Sequence, residues 1–123
     1  MAFKFTSEHL YWWPVKISVP HPEHAGTWLR QEFKARFALI PQDEADAIVE
    51  ELRALPADEA ATRGHALILR AMRDWKDVTD DDGQPVPFSA GALLQAMQSS
   101  WFRIGLYRAW NESLLPDEAR RKN

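Results

Sequence analysis

Within the first forty residues, two runs of apolar and polar positions alternate with a period of two. Val15, Ile17 and Val19 alternate with Pro14, Lys16 and Ser18, the pattern of a strand with one face covered. Pro14 and Pro20 place that strand at a sheet edge or cut it short, because proline has no N–H to give a ladder. The polar loop His21-Pro22-Glu23-His24-Ala25-Gly26 follows, and then a second alternating run. Phe33, Ala35, Phe37 and Leu39 share one face of it, and Glu32, Lys34, Arg36 and Ala38 share the other. The two runs predict a long antiparallel hairpin with one apolar face. A two-stranded ribbon is marginal by itself, so that face needs cover.

From Pro41 onward the period lengthens to about 3.6. Asp43 and Glu44 suit the positive end of a helix dipole, and Ile48, Val49, Leu52 and Leu55 form a stripe that Pro56 ends. A second helix is predicted from Asp58, or from near His65 because Gly64 weakens a helix interior, carrying Leu67, Ile68, Ala71, Met72 and Trp75. Residues 77–88 hold three consecutive aspartates, a glycine and two prolines, which predicts a structured loop. Ser89 then caps a short helix to Gln98 with Leu93, Leu94 and Met97 inward, and Ser99 or Ser100 caps a last one over 101–114. The expected fold is α+β: an amino-terminal antiparallel β-hairpin followed by about four α-helices in one small domain. Residues 1–40 would be the hairpin region, 41–115 the helical region and 116–123 a charged tail.

Length and charge narrow the function classes. A chain of 123 residues with 46% hydrophobic residues can bury a core without disulfide or metal staples, and the absence of cysteine removes thiol chemistry and Cys-based zinc sites. A net charge of −3 argues against affinity won by neutralising phosphates, and so against nucleic acid or an anionic membrane surface as partner. The amino-terminal stretch lacks the apolar run of about 7–15 residues that a secretory signal needs. No apolar run approaches the roughly 18 residues of a spanning helix, and the expected location is the cytoplasm.

Chemistry-bearing patterns are sparse. Asp80, Asp82 and Gly83 fall where a calcium loop needs its third, fifth and sixth positions, but Val78 and Ser89 would hold the first and twelfth, where carboxylates are required. The aspartates therefore read as acceptors of local backbone hydrogen bonds in a turn. His21 and His24, with His9 and His65 elsewhere, do not make a recognisable zinc frame. No strained serine elbow or phosphate-cradling glycine loop is present, and adjacent carboxylates such as Glu50-Glu51 point to different sides of a helix. These patterns imply no catalytic residue, metal ligand or cofactor.

The aromatic residues stand out, with 6 tryptophans in this length. On the last helix Phe102, Leu106 and Trp110 lie along one stripe, and Trp101 with Ile104 along another. A helix apolar on two sides must bury two sides. One can meet the hairpin, and the other a partner, because tryptophan is enriched at interface hot spots. Trp101, Phe102, Leu106 and Trp110 are accordingly the candidate partner-binding residues. Trp12 and Trp13 join them, since neighbours in a strand face opposite sides.

The segment Asp74-Trp75-Lys76-Asp77-Val78, then Asp81-Asp82-Gly83-Gln84-Pro85-Val86-Pro87-Phe88-Ser89 and Leu93-Leu94, resembles tail assembly chaperones of long-tailed bacteriophages and prophages. Trp75, Gly83, Pro85, Pro87, Phe88 and Ser89 carry the likeness, and the ending Glu118-Ala119-Arg120-Arg121-Lys122-Asn123 is similar too. The resemblance covers about residues 74–123. It implies a non-enzymatic protein that binds the tape-measure protein and tail-tube subunits in the host cytoplasm during tail morphogenesis, and in some members an extended form made by ribosomal frameshifting. Amphipathic tape-measure segments would lie in an apolar groove.

Two other readings compete: a small adaptor or regulatory protein with a different partner, and a small metal-dependent enzyme built on the histidines and the aspartate turn. A very long open reading frame of helical periodicity immediately downstream would favour the tail chaperone. Exposed sheet edges and spare aromatics leave room for self-association.

Overall fold

A computed structural model describes residues 1–116, apart from the side chains of residues 61 and 62; the charged tail and the chain ending that enter the resemblance lie outside the described residues. Three strands, β1 (Leu10–Pro20), β2 (Trp28–Ala38) and β3 (Met72–Lys76), form an antiparallel sheet in the order β1-β2-β3. Five helices accompany them: α1 (Gln42–Ala54), α2 (Ala57–Thr62), α3 (Ala66–Ala71), α4 (Ala90–Ala96) and α5 (Ser100–Leu114). The fold is α+β, with the hairpin in place and, among the described residues, five helices against the expected four or so.

The hairpin register pairs Tyr11 with Phe37, Trp13 with Ala35 and Val15 with Phe33, so the odd-numbered residues of both strands share the inner face. Val15, Ile17, Phe33, Ala35 and Phe37 are buried there, beneath Ile68, Leu93, Met97 and Leu106 from the helices. Leu39 departs from the expected alternation. It follows the end of β2 and is 56% exposed, although its N–H still donates to the His9 carbonyl at 3.1 Å.

β1 is an edge strand, as Pro14 and Pro20 require. The loop after it is closed by its own histidine: His21 Nδ1 accepts the backbone N–H groups of Glu23 (3.1 Å) and His24 (3.2 Å). Gly26 supplies the positive φ that the turn needs, at 80°.

The third strand corrects the expected helix running to Trp75. Gly64 lies in a turn between α2 and α3, and α3 stops at Ala71. Met72 and Trp75, three residues apart, read as neighbours on a helix face. In the sheet Phe37 pairs with Met72, Arg36 with Asp74 and Ala35 with Trp75, which leaves Arg73 as an extra residue in an irregular register. That extra residue turns both Met72 (3% exposed) and Trp75 (6%) towards the core despite their odd spacing.

The last two helices start where serine predicts. Ser89 Oγ accepts from Ala92 N at 3.0 Å and Ser99 Oγ from Phe102 N at 3.4 Å. Leu93 on α4 and Met97 at its carboxyl-terminal cap are buried, whereas Leu94, expected inward, is 51% exposed. α5 lies along β1 at unusually short range. A Cβ on Gly105 would stand 2.5 Å from the carbonyl oxygen of Lys16 and would collide with the Ile17 side chain, so only glycine permits this approach. Tyr11 Oη and Ser113 Oγ, 2.8 Å apart, join the other end of the helix to β1.

Candidate functional site

The close approach of α5 to β1 sorts the candidate partner-binding residues into two groups. Leu106, fully buried between Gly105 and Ala109, belongs to the core and is withdrawn from any partner. Phe102 is half-buried and stacks on Phe33, with ring centroids 5.6 Å apart and planes within 6°. Trp110 and Trp13 are likewise half-buried against the core, Trp110 edge to face with Tyr107. The stripe Phe102-Leu106-Trp110 is therefore the side of α5 that meets the sheet. The sequence signal for this was the Gly105 and Ala109 pair, small residues one turn apart on that side.

The opposite stripe is the open one. Trp101 is 43% exposed and Ile104 57%, and both line a groove where the outer face of the hairpin meets the flank of α5. The groove measures about 320 Å³, and its hairpin wall carries Trp28, 62% exposed, with Lys16 and Arg30. Arg108 completes the helix wall. Sequence reasoning missed Trp28 and Arg30, although there was a signal: Trp28 shares strand parity with Arg30 and Glu32, and a tryptophan on the polar face of a strand has no core to fill.

Charge and apolar surface coincide here. Lys16, Arg30 and Arg108 line the groove, no carboxylate lines it, and among the described residues none of the three forms an ion pair. The cations further along the outer face are engaged. Lys34 pairs with Asp77 at 3.3 Å, while Lys76 Nζ and the Arg36 guanidinium lie 4.4 and 5.6 Å from the centre of the Trp12 ring. Trp12, 37% exposed, thus points outward as strand parity demands and is covered by cations.

The residues of the family resemblance build a different part of the molecule. Trp75 donates its indole N–H to the Val86 carbonyl at 2.7 Å, and its ring meets Phe88 edge to face at 5.2 Å. Pro85 bridges to Thr79, Gly83 takes a φ of 77° in the turn, and Asp80 Oδ1 accepts from Asp82 N (2.9 Å) and Gln84 N (3.0 Å). With Pro87 leading into Phe88 and the Ser89 cap, the motif ties the loop to Trp75 and leads it into α4. The aspartate turn is closed by local hydrogen bonds, and among the described residues no three His, Asp or Glu side chains converge on a metal position.

Among the described residues one titratable group departs from its ordinary behaviour. Burial raises the Tyr107 phenol above the usual tyrosine range, against the opposing pull of Arg103. Its hydroxyl is hydrogen-bonded to His65 Nδ1 at 2.6 Å.

Compared with protein-family models, with curated proteins and with solved structures, the chain matches none. No helix among the described residues is long and apolar enough to cross a membrane.

Proposed function

We propose that this protein holds a segment of another protein without covalent chemistry, as a tail assembly chaperone holds the tape-measure protein while a phage or prophage tail is built. The observation that carries the reading is the pairing of Trp28 and Trp101 on facing walls of one groove, both left open by a core that takes up Trp13, Trp75 and Trp110. With 62% of Trp28 and 43% of Trp101 still exposed, the pair leaves about one tryptophan's worth of surface, about 150–250 Å², for a partner to cover. The resemblance of residues 74–123 names the partner; the groove supplies a place to hold it.

In this reading the apolar stripe of a tape-measure helix inserts between Trp28, Trp101 and Ile104, and is shielded from self-association until tail-tube subunits polymerise around it. The exchange needs only reversible binding, in the host cytoplasm. Co-expression with the product of the very long helical reading frame expected downstream tests it. The two proteins should co-elute in size-exclusion chromatography, with the tape-measure protein kept in solution. Separate elution of the two proteins overturns the reading.

A further inference from the structure

We infer that the groove recognises an acidic amphipathic helix, one whose carboxylates flank a large apolar anchor. This rests on the reading of the protein as a holder of partner segments and specifies the chemistry of the segment held. In a chain of net charge −3, three cations that form no ion pair among the described residues line one concavity, Lys16 and Arg30 on the hairpin wall and Arg108 on α5, while Glu32, the cross-strand neighbour of Lys16, stands outside its lining. All three are exposed, and the apolar surface between them is that of Trp28, Trp101 and Ile104. Charges of one sign around an apolar centre favour a partner of the opposite sign built the same way, because a basic or uncharged helix would leave the three cations facing like charge or nothing.

A single-stranded nucleic acid also combines negative charge with flat apolar rings, but it needs a continuous cationic track. Here the track is interrupted along the outer face of the sheet: Lys34 is held by Asp77, and Lys76 and Arg36 are turned onto Trp12.

The test uses fluorescence anisotropy on the full chain with three labelled ligands. These are a helical peptide of about 15 residues with leucine at i, i+4 and i+7 and glutamate around it, the same peptide with lysine for glutamate, and oligo-deoxythymidine of like length. The acidic peptide should bind, more weakly as salt rises, and Arg30→Glu or Arg108→Glu should weaken it about tenfold or more while leaving the circular dichroism spectrum unchanged. Equal binding of the lysine peptide, tighter binding of the oligonucleotide, binding unaffected by both substitutions, or no binding at all would each overturn the inference. The two levels separate cleanly. If the tape-measure protein co-elutes with the native chain and equally with Arg108→Glu, the holding function stands and the acidic recognition falls. If the acidic peptide binds as described but the tape-measure protein does not co-elute, the assignment of the partner falls instead.

Discussion

The carbonyl oxygen of Lys16 lies 2.5 Å from the position a Cβ would occupy on Gly105, so strand β1 and helix α5 meet backbone to backbone. This contact decides which stripe of α5 is core and which is open, and it sets the spacing of the groove whose walls carry Trp28 and Trp101. Gly105→Ala gains about 1 kcal/mol of helix propensity. Overpacking against a strand backbone that cannot yield costs about 1–3 kcal/mol, with the Ile17 side chain in the way as well. The net expectation is a lowered urea midpoint. Gly91→Ala is the control: its nearest neighbour would be Ser89 Oγ at 4.0 Å, and its midpoint should hold or rise.

Trp75 joins β3 to the loop that the family likeness runs through. Trp75→Phe keeps an aromatic ring against Phe33 and Phe88 but removes the donor to the Val86 carbonyl. The loss should be about 1–3 kcal/mol in urea denaturation, the cost of an acceptor left without its donor. Replacement of exposed Trp28 by phenylalanine should change stability by less than about 0.5 kcal/mol.

Tyr107 gives a pH signature. Its phenol holds its proton more tightly folded than unfolded, because burial disfavours the phenolate. The folded state therefore binds the proton through the window that opens near pH 10, the ordinary tyrosine value, and closes at the raised folded value. Stability linked to Tyr107 is fully present below that window and falls as pH rises through it. Tyr107→Phe should flatten the decline of the melting temperature above about pH 10. At neutral pH the variant should be less stable by about 1 kcal/mol, for the lost hydrogen bond to His65.

Much of the fold was legible in the pattern of residues, for identifiable reasons. Strict alternation through Val15, Ile17, Phe33, Ala35 and Phe37 specifies a hairpin because a slip of one residue would turn all of them outward. Ser89 and Ser99 mark helix starts because their hydroxyls accept orphan backbone N–H groups. β3 was hidden because the irregular register at Arg73 spaces Met72 and Trp75 like residues of a helix. The site was half legible. A helix apolar on two sides announces that one side is available, but only the packing of Gly105 on Lys16 and Ile17 shows that the available side is Trp101 and Ile104, not Phe102, Leu106 and Trp110. The same packing puts Leu106→Ala among the core substitutions that cost about 2–5 kcal/mol.

The central claim is that the groove, and not the core stripe of α5, holds the partner. Its most direct measurement is co-purification of the tape-measure protein with a Trp28→Ala, Trp101→Ala double variant, with circular dichroism and urea melts run in parallel. A native spectrum, a midpoint near that of the native chain and loss of most of the co-purified partner are expected. A native spectrum with undiminished co-purification would contradict the claim.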